Sequence, residues 1–302
     1  MPLLEVQELF VRYPRHGGAP LEALQSVSLR VEAGEALGIV GESGSGKSTL
    51  AKAIVGLVAP WRGRILYAGE DTAGLDRAGR ERYCRHVQMV FQDAVGSLNP
   101  RMTVAAMLAE VLRVHGIRNA ECGVWNAERE MRSAERGVLS AECGGGMQES
   151  HLRIPHSDFR VSFAVAHLLE RVGLPPETAA AYPRELSGGQ CQRVSLARCL
   201  ALEPRVLVAD EPVSALDVSV QARVLNLLRE LQQRLGLTLL LVAHDLAIVR
   251  SICDRVCVLY RGRMVEEGLV GDVLERPQHA YTRELLSAVP DVDRALGTRL
   301  QA

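Results

Sequence analysis

The stretch ALGIVGESGSGKSTL, residues 36–50, decides the fold. Its first five residues are a short apolar run, as expected of a strand buried on both faces. Its end runs into STLAKAIVGL, which reads as a helix. Between them GESGSGKS (41–48) fills every fixed position of G-x-x-x-x-G-K-[ST], in the strand-to-helix setting that gives this pattern meaning. Gly41, Gly44 and Gly46 let the backbone curl so that its N–H groups turn inward, and the helix N-terminus adds its dipole. Lys47 is placed to reach β- and γ-phosphates, and Ser48 to offer its hydroxyl to Mg²⁺. Ser43 and Thr49 complete the candidate phosphate contacts.

An acidic partner for this loop lies at RVLVADE, 205–211. Four apolar residues bury a strand and bring Asp210 out at its carboxyl end, where ligands sit in open α/β sheets. Asp210 is the expected holder of the Mg²⁺ shell. Glu211 follows at once and is placed to orient and deprotonate a water.

Working outward, LLEVQELFVRY and LQSVSLRVEAGE read as N-terminal strands, and RGRILYAGED as a strand and turn. HVQMVFQD is another buried strand. Helical patterns follow in VAAMLAEVLRVHG and FAVAHLLERVGL. Alternation then returns: RVLVAD (strand), SVQARVLNLLRELQQRL (helix), TLLLVAHD (strand), LAIVRSI (helix) and RVCVLYRGRMVEEG (a hairpin turning at Arg-Gly). This order predicts an α/β core with a parallel sheet over 1–98 and 186–275, an N-terminal antiparallel β subdomain, and an inserted helical subdomain over 99–185. Within the insertion, 119–146 divides into four sevens (NAECGVW, NAEREMR, SAERGVL, SAECGGG). Apolar positions are not sustained in the repeat, so 119–157 is expected to be a partly disordered surface loop rather than a coiled coil.

Composition narrows the class. The 302 residues are 47% hydrophobic and 24% charged, ordinary for a globular protein. A net charge of −1 points away from a nucleic-acid binder. The longest apolar runs, such as LTLLLVA (237–243), are too short to cross a bilayer. The start, MPLLEVQELF, lacks the basic region and cleavage site of a secretory leader. A cytoplasmic protein, peripheral in any membrane role, is therefore expected. The seven cysteines form no CxxC pair, and Cys122, Cys143, His151 and His156 match no zinc spacing.

A second glycine-rich helix start, LSGGQ (186–190), carries no lysine. Here the chain resembles the ATP-binding subunits of ABC transporters. In that family one subunit contributes the phosphate loop and the opposing one contributes LSGGQ to the same ATP. The resemblance therefore implies that Ser187, Gly188, Gly189 and Gln190 serve a partner's nucleotide. It further implies that Gln92 (in VFQD) joins the γ-phosphate and Mg²⁺, that Asp217 (in SALD) faces the dimer interface, that His244 (in VAHD) contacts the γ-phosphate, and that Tyr13 stacks on adenine. ATP and Mg²⁺ are the implied ligands.

Within the family, VFQDAVGSLNPRMTV, ADEPVSALDVSVQARVLNLL and RPQHAYTRELLSAVP (276–290) are similar to the ATPases of dipeptide, oligopeptide and nickel importers, and the early segment VRYPRHGGAPLEALQSVSL is more similar to their F-type ATPase than to the D-type. Residues 276–302 then form the importer-family tail. Such a subunit implies two membrane permeases, a second ATPase (a D-type partner or a second copy), an extracytoplasmic binding protein reached indirectly, and a place at the cytoplasmic face of the inner membrane. Two features depart from the pattern: Cys191 follows LSGGQ where Arg or Leu is frequent, and the tail reads His-Ala-Tyr-Thr rather than His-Pro-Tyr-Thr. The tail also lacks the cysteine-bearing extension of some relatives, so no iron-sulfur cluster is expected. The competing readings are a soluble ABC ATPase acting on nucleic acid or ribosomes, an exporter ATPase, and a subunit impaired by its repeat. Dipeptide, oligopeptide, nickel and glutathione all stay open as cargo.

Overall fold

A computed structural model describes residues 2–15, 18–115 and 156–287. The N-terminal strands β1 (Leu4–Tyr13) and β2 (Leu21–Val31) pair antiparallel, as their period-two pattern predicts. In β1 the pattern breaks once, and in β2 once, between Leu24 and Val27. Leu4 and Val6 face the core, but so do Leu9 and Val11, one residue out of phase. The register shifts between Val6 and Leu9, and Glu8 takes φ 45° there. This bulge returns the apolar side chains to one face.

Strand β3 (Ala36–Val40) follows and belongs to a second sheet, while β4 (Arg62–Tyr67) and β5 (Glu70–Asp71) return to the first. The first sheet has the order β2-β1-β4-β5. The second adds β6 (Val87–Val90), β7 (Val206–Asp210), β8 (Thr238–Val242), β9 (Arg255–Tyr260) and β10 (Arg263–Leu269) in the order β10-β9-β3-β8-β7-β6. All its neighbours pair in parallel except β9 and β10, which form the hairpin expected at Arg261–Gly262. Every residue of β3, β7 and β8 is buried, which is why these strands read as unbroken apolar runs.

Helix α1 (Lys47–Ile54) buries Leu50, Ala51, Ala53 and Ile54 in a core that both sheets share. Leu9, Val11 and Leu24 meet it from one sheet, and Ile39, Val208, Leu240 and Val242 from the other. That packing anchors the helix whose N-terminus carries the glycine-rich loop. Helix α2 (Arg77–His86) was not anticipated. Only Gly79 and Tyr83 are buried along RAGRERYCRH, so no apolar stripe announces it; its local sign is Asp76, whose carboxylate accepts from the Gly79 N–H.

The chain divides into two compact units, Met1–Ala94 with Pro204–Ala302, and Val95–Glu203. The second holds helices α3 (Val104–Val114), α4 (His156–Arg171) and α5 (Gly188–Leu200). This differs from the division at 99 and 185 read from the sequence, because α5 packs on both α3 and α4 and so belongs with them. The first unit is completed by α6 (Val218–Leu235), α7 (Leu246–Ile252), α8 (Val270–Glu275) and α9 (Ala280–Ser287). Among the described residues no helix is long and apolar enough to cross a membrane. The heptad repeat at 119–146, and the side chains of Cys122, Cys143, His151 and His156, lie outside the described residues.

Candidate nucleotide-binding site

The strand register builds the site. Ile39 of β3 stands level with Val242 of β8, and Val242 level with Asp210 of β7; Val90 of β6 stands level with Ala209. Gly41, Glu211, His244 and Gln92 each come one or two residues later. All four therefore leave the sheet along one edge, the carboxyl ends of its parallel strands.

At the loop, Gly41 takes φ 150° and a Cβ there would lie 2.2 Å from the Leu259 carbonyl oxygen. Gly46, the α1 N-cap, takes φ 109°, and a Cβ would lie 2.7 Å from the Ala23 carbonyl oxygen. Both positions thus demand glycine by conformation and by space. No side chain caps α1, which leaves its first N–H groups for a ligand. Lys47 is 4% exposed, and its ammonium donates to the carbonyls of Gly41 (2.7 Å) and Glu42 (2.8 Å). Burial lowers the pKa of this ammonium, and Glu211, Asp210 and Glu42 partly oppose that shift.

Two acidic residues with different surroundings follow. The Ser48 hydroxyl donates to Asp210 Oδ1 at 2.9 Å. Burial raises the Asp210 pKa, and the Ser48 bond works against the rise. A hydroxyl and a carboxylate side by side are the hard oxygen donors that Mg²⁺ takes, so the residues present fit that ion. Glu211 stands apart from this pair. Its Oε2 accepts from Gln92 Nε2 at 2.9 Å and lies 3.9 Å from His244 Nδ1. Its backbone is left-handed (φ 44°), a strained state for a residue with a side chain, costing about 1–3 kcal/mol. The bond from its N–H to the Val242 carbonyl (3.0 Å) helps hold it there.

The structure therefore brings Lys47, Ser48 and Asp210 together, and gathers Gln92, Glu211 and His244 beside Glu211's carboxylate. Gln92, expected also at the metal, has its amide on Glu211 and on Ser214 Oγ (3.3 Å). Ser214 was not singled out in the sequence. Its hydroxyl also donates to the Glu211 carbonyl (3.2 Å), and its position three residues after Glu211, at the head of SALD, was the available sign. Tyr13 ends β1 with its hydroxyl 3.5 Å from Thr49 Oγ1. Asp217 caps α6 by position but makes no side-chain cap bond, and it is exposed beside Val218, which is 81% exposed.

In the other unit LSGGQ starts α5. Ser187 is its N-cap: Ser187 Oγ accepts from Gln190 N–H (3.3 Å), and the Ser187 N–H donates to Gln190 Oε1 (2.8 Å). This capping box closes the helix start with the motif's own side chains. Ser187 and Gly188 remain exposed. Cys191 is buried, its thiol 3.5 Å from the Pro183 carbonyl.

The sequence pattern of the ABC transporter family matches residues 24–214, which takes in both glycine-rich motifs and Glu211. The chain belongs to the ABC transporter family. This ABC protein is 44% identical, over 99% of its length and 82% of the other's, to a Brucella ovis chain that carries the name peptide import ATP-binding protein. It is 41% identical, over 96% of its length and 78% of the other's, to the oligopeptide transport ATP-binding protein OppF of Salmonella typhimurium. Among solved structures it is similar to the ATP-binding cassette MJ0796 in a dimeric post-hydrolysis state bound to ADP and Pi. The TM-score is 0.68 at 26% identity, covering 88% of this chain and 98% of that one.

Proposed function

We propose that this ABC protein is the ATP-hydrolysing subunit that energises import of di- or oligopeptides through a membrane permease. The observation that carries the reading is the sheet edge, where Lys47 and the Ser48–Asp210 pair emerge along with Glu211, whose carboxylate accepts from Gln92 and lies 3.9 Å from His244. Peptide cargo is supported by the two relatives named for peptide import and for oligopeptide transport, each covered over more than three quarters of its length.

In this reading Lys47 and the α1 N-terminus receive the phosphates, and Tyr13 stacks on the adenine. Ser48 and Asp210 would hold Mg²⁺, with Gln92 within the same group. Mg²⁺, when bound, supplies positive charge to the phosphate oxygens. Glu211 takes the proton from the attacking water as its oxygen bonds to the γ-phosphorus and the bond to the ADP oxygen breaks. His244 adds a hydrogen bond to the γ-phosphate. Ser187, Gly188, Gly189 and Gln190 close over the nucleotide of a second ATPase, a D-type partner or another copy, with Asp217 at the interface. ATP thus holds the dimer shut and hydrolysis releases it. The subunit works at the cytoplasmic face of the inner membrane with two permeases, downstream of an extracytoplasmic binding protein.

A mild-detergent pull-down from native membranes tests this. Two permeases and a second ATPase are the expected companions. Recovery of ribosomes instead, or of no membrane protein, would overturn it.

A further inference from the structure

The phosphate loop is held from several sides. Gly41 packs on the Leu259 carbonyl, and the Ser45 carbonyl accepts from the Gly262 N–H at 2.8 Å, both in the β9–β10 hairpin. A further tie comes from the tail. The Glu42 N–H donates to the Tyr281 hydroxyl oxygen at 2.9 Å. Glu42 is the second residue of the loop, and its carbonyl accepts from Lys47 Nζ at 2.8 Å. The backbone groups of this one residue are therefore bound at both ends, one by the loop's lysine and one by a side chain of α9.

Tyr281 is itself rigidly placed. It is 5% exposed, and its ring lies on Tyr260, the last residue of β9, with centroids 4.1 Å apart. The turn before it is fastened to β10: the Glu266 carboxylate accepts from the Gln278 N–H (2.7 Å) and the His279 N–H (3.0 Å), and the Tyr281 N–H donates to His279 Nδ1 (3.1 Å). A hydroxyl held this firmly is a fixed acceptor, unlike the water that would otherwise meet an exposed loop amide.

We propose that Tyr281 is a positioning residue: its hydroxyl fixes the Glu42 peptide and so keeps the phosphate loop in the shape that receives nucleotide. The inference rests on the nucleotide-site reading and gives the 276–290 signature a task within it. Tyr281 touches no reacting atom. Its loss frees the loop before binding and leaves Glu211 with its contacts to Gln92 and His244. The effect belongs in nucleotide affinity, as loss of preorganisation, and not in the chemical step.

The test uses the full chain and MgATP hydrolysis. Tyr281→Phe removes the hydroxyl and keeps the stacked ring. We expect KM for ATP to rise about three- to tenfold, the scale of one ordinary hydrogen bond, with kcat within about twofold and a nucleotide-free melting temperature lowered by no more than about 2 °C. Glu266→Ala, which frees the Gln278–His279 turn, should raise KM in the same direction, and the double variant should be no worse than the stronger single one. An unchanged KM in Tyr281→Phe, or a fall in kcat and melting temperature in place of the KM effect, would overturn the inference while leaving the site reading intact. Absence of saturable MgATP turnover in the wild-type chain would remove both.

Discussion

Glu211 shows how much one residue carries. It takes φ 44° just after β7, and its carboxylate meets Gln92 and His244 while that of Asp210 accepts from Ser48. Two adjacent acids thereby acquire different neighbours. Glu211→Gln is expected to keep ATP binding while steady-state hydrolysis falls at least about 100-fold, the scale of losing a general base; equilibrium nucleotide binding beside turnover checks this. Lys47→Ala is expected to abolish turnover. Its ammonium is buried against two loop carbonyls, so the variant also removes the donor they share, although the Glu42 carbonyl keeps the Ser45 N–H. Removing divalent metal with EDTA should stop hydrolysis, and Mg²⁺ should restore it in the wild type but not in Asp210→Ala. Retained wild-type hydrolysis in any of these variants would remove the assigned roles.

At the level of elements, the loop depends on what it packs against. Gly41→Ala is expected to destroy nucleotide binding, because its Cβ would stand 2.2 Å from a backbone oxygen of β9 that cannot swing away as a side chain would. The loss should appear in binding of a fluorescent nucleotide before it appears as unfolding. Helix α5 offers a contrast. Ser187→Ala removes the acceptor for the Gln190 N–H and should cost about 1 kcal/mol of stability, read by denaturant melts. If Ser187 also serves a partner's nucleotide, the same variant loses far more ATPase activity than that small cost explains.

For the whole molecule the expectation is an ATP-dependent dimer. Glu211→Gln with MgATP should double its mass by light scattering, alone or with a D-type partner, and nucleotide-free protein should not. Much of the fold and of the placing of its motifs was legible in the sequence. GESGSGKS, the acidic end of RVLVADE and the position of LSGGQ before a helix rest on short-range rules: period, glycine conformation, charge at a strand end. Helix α2 was not legible, because its arginine-rich surface carries no apolar stripe. Nor was the bulge at Glu8, since only pairing with β2 and β4 reveals which residue is out of phase.

What the sequence determined by itself was the kind of chemistry, because each motif needs only residues within a few positions of one another. What the tertiary structure decided was which motif meets which. Strand register, linking residues far apart in the chain, aligned Ile39, Val242 and Asp210 and so set Gly41, Glu211 and His244 on one edge. Packing of the hairpin and tail brought Gly262 and Tyr281 onto the loop. These contacts depend on long-range burial and chain reversal, which leave no local pattern around the residues that make them.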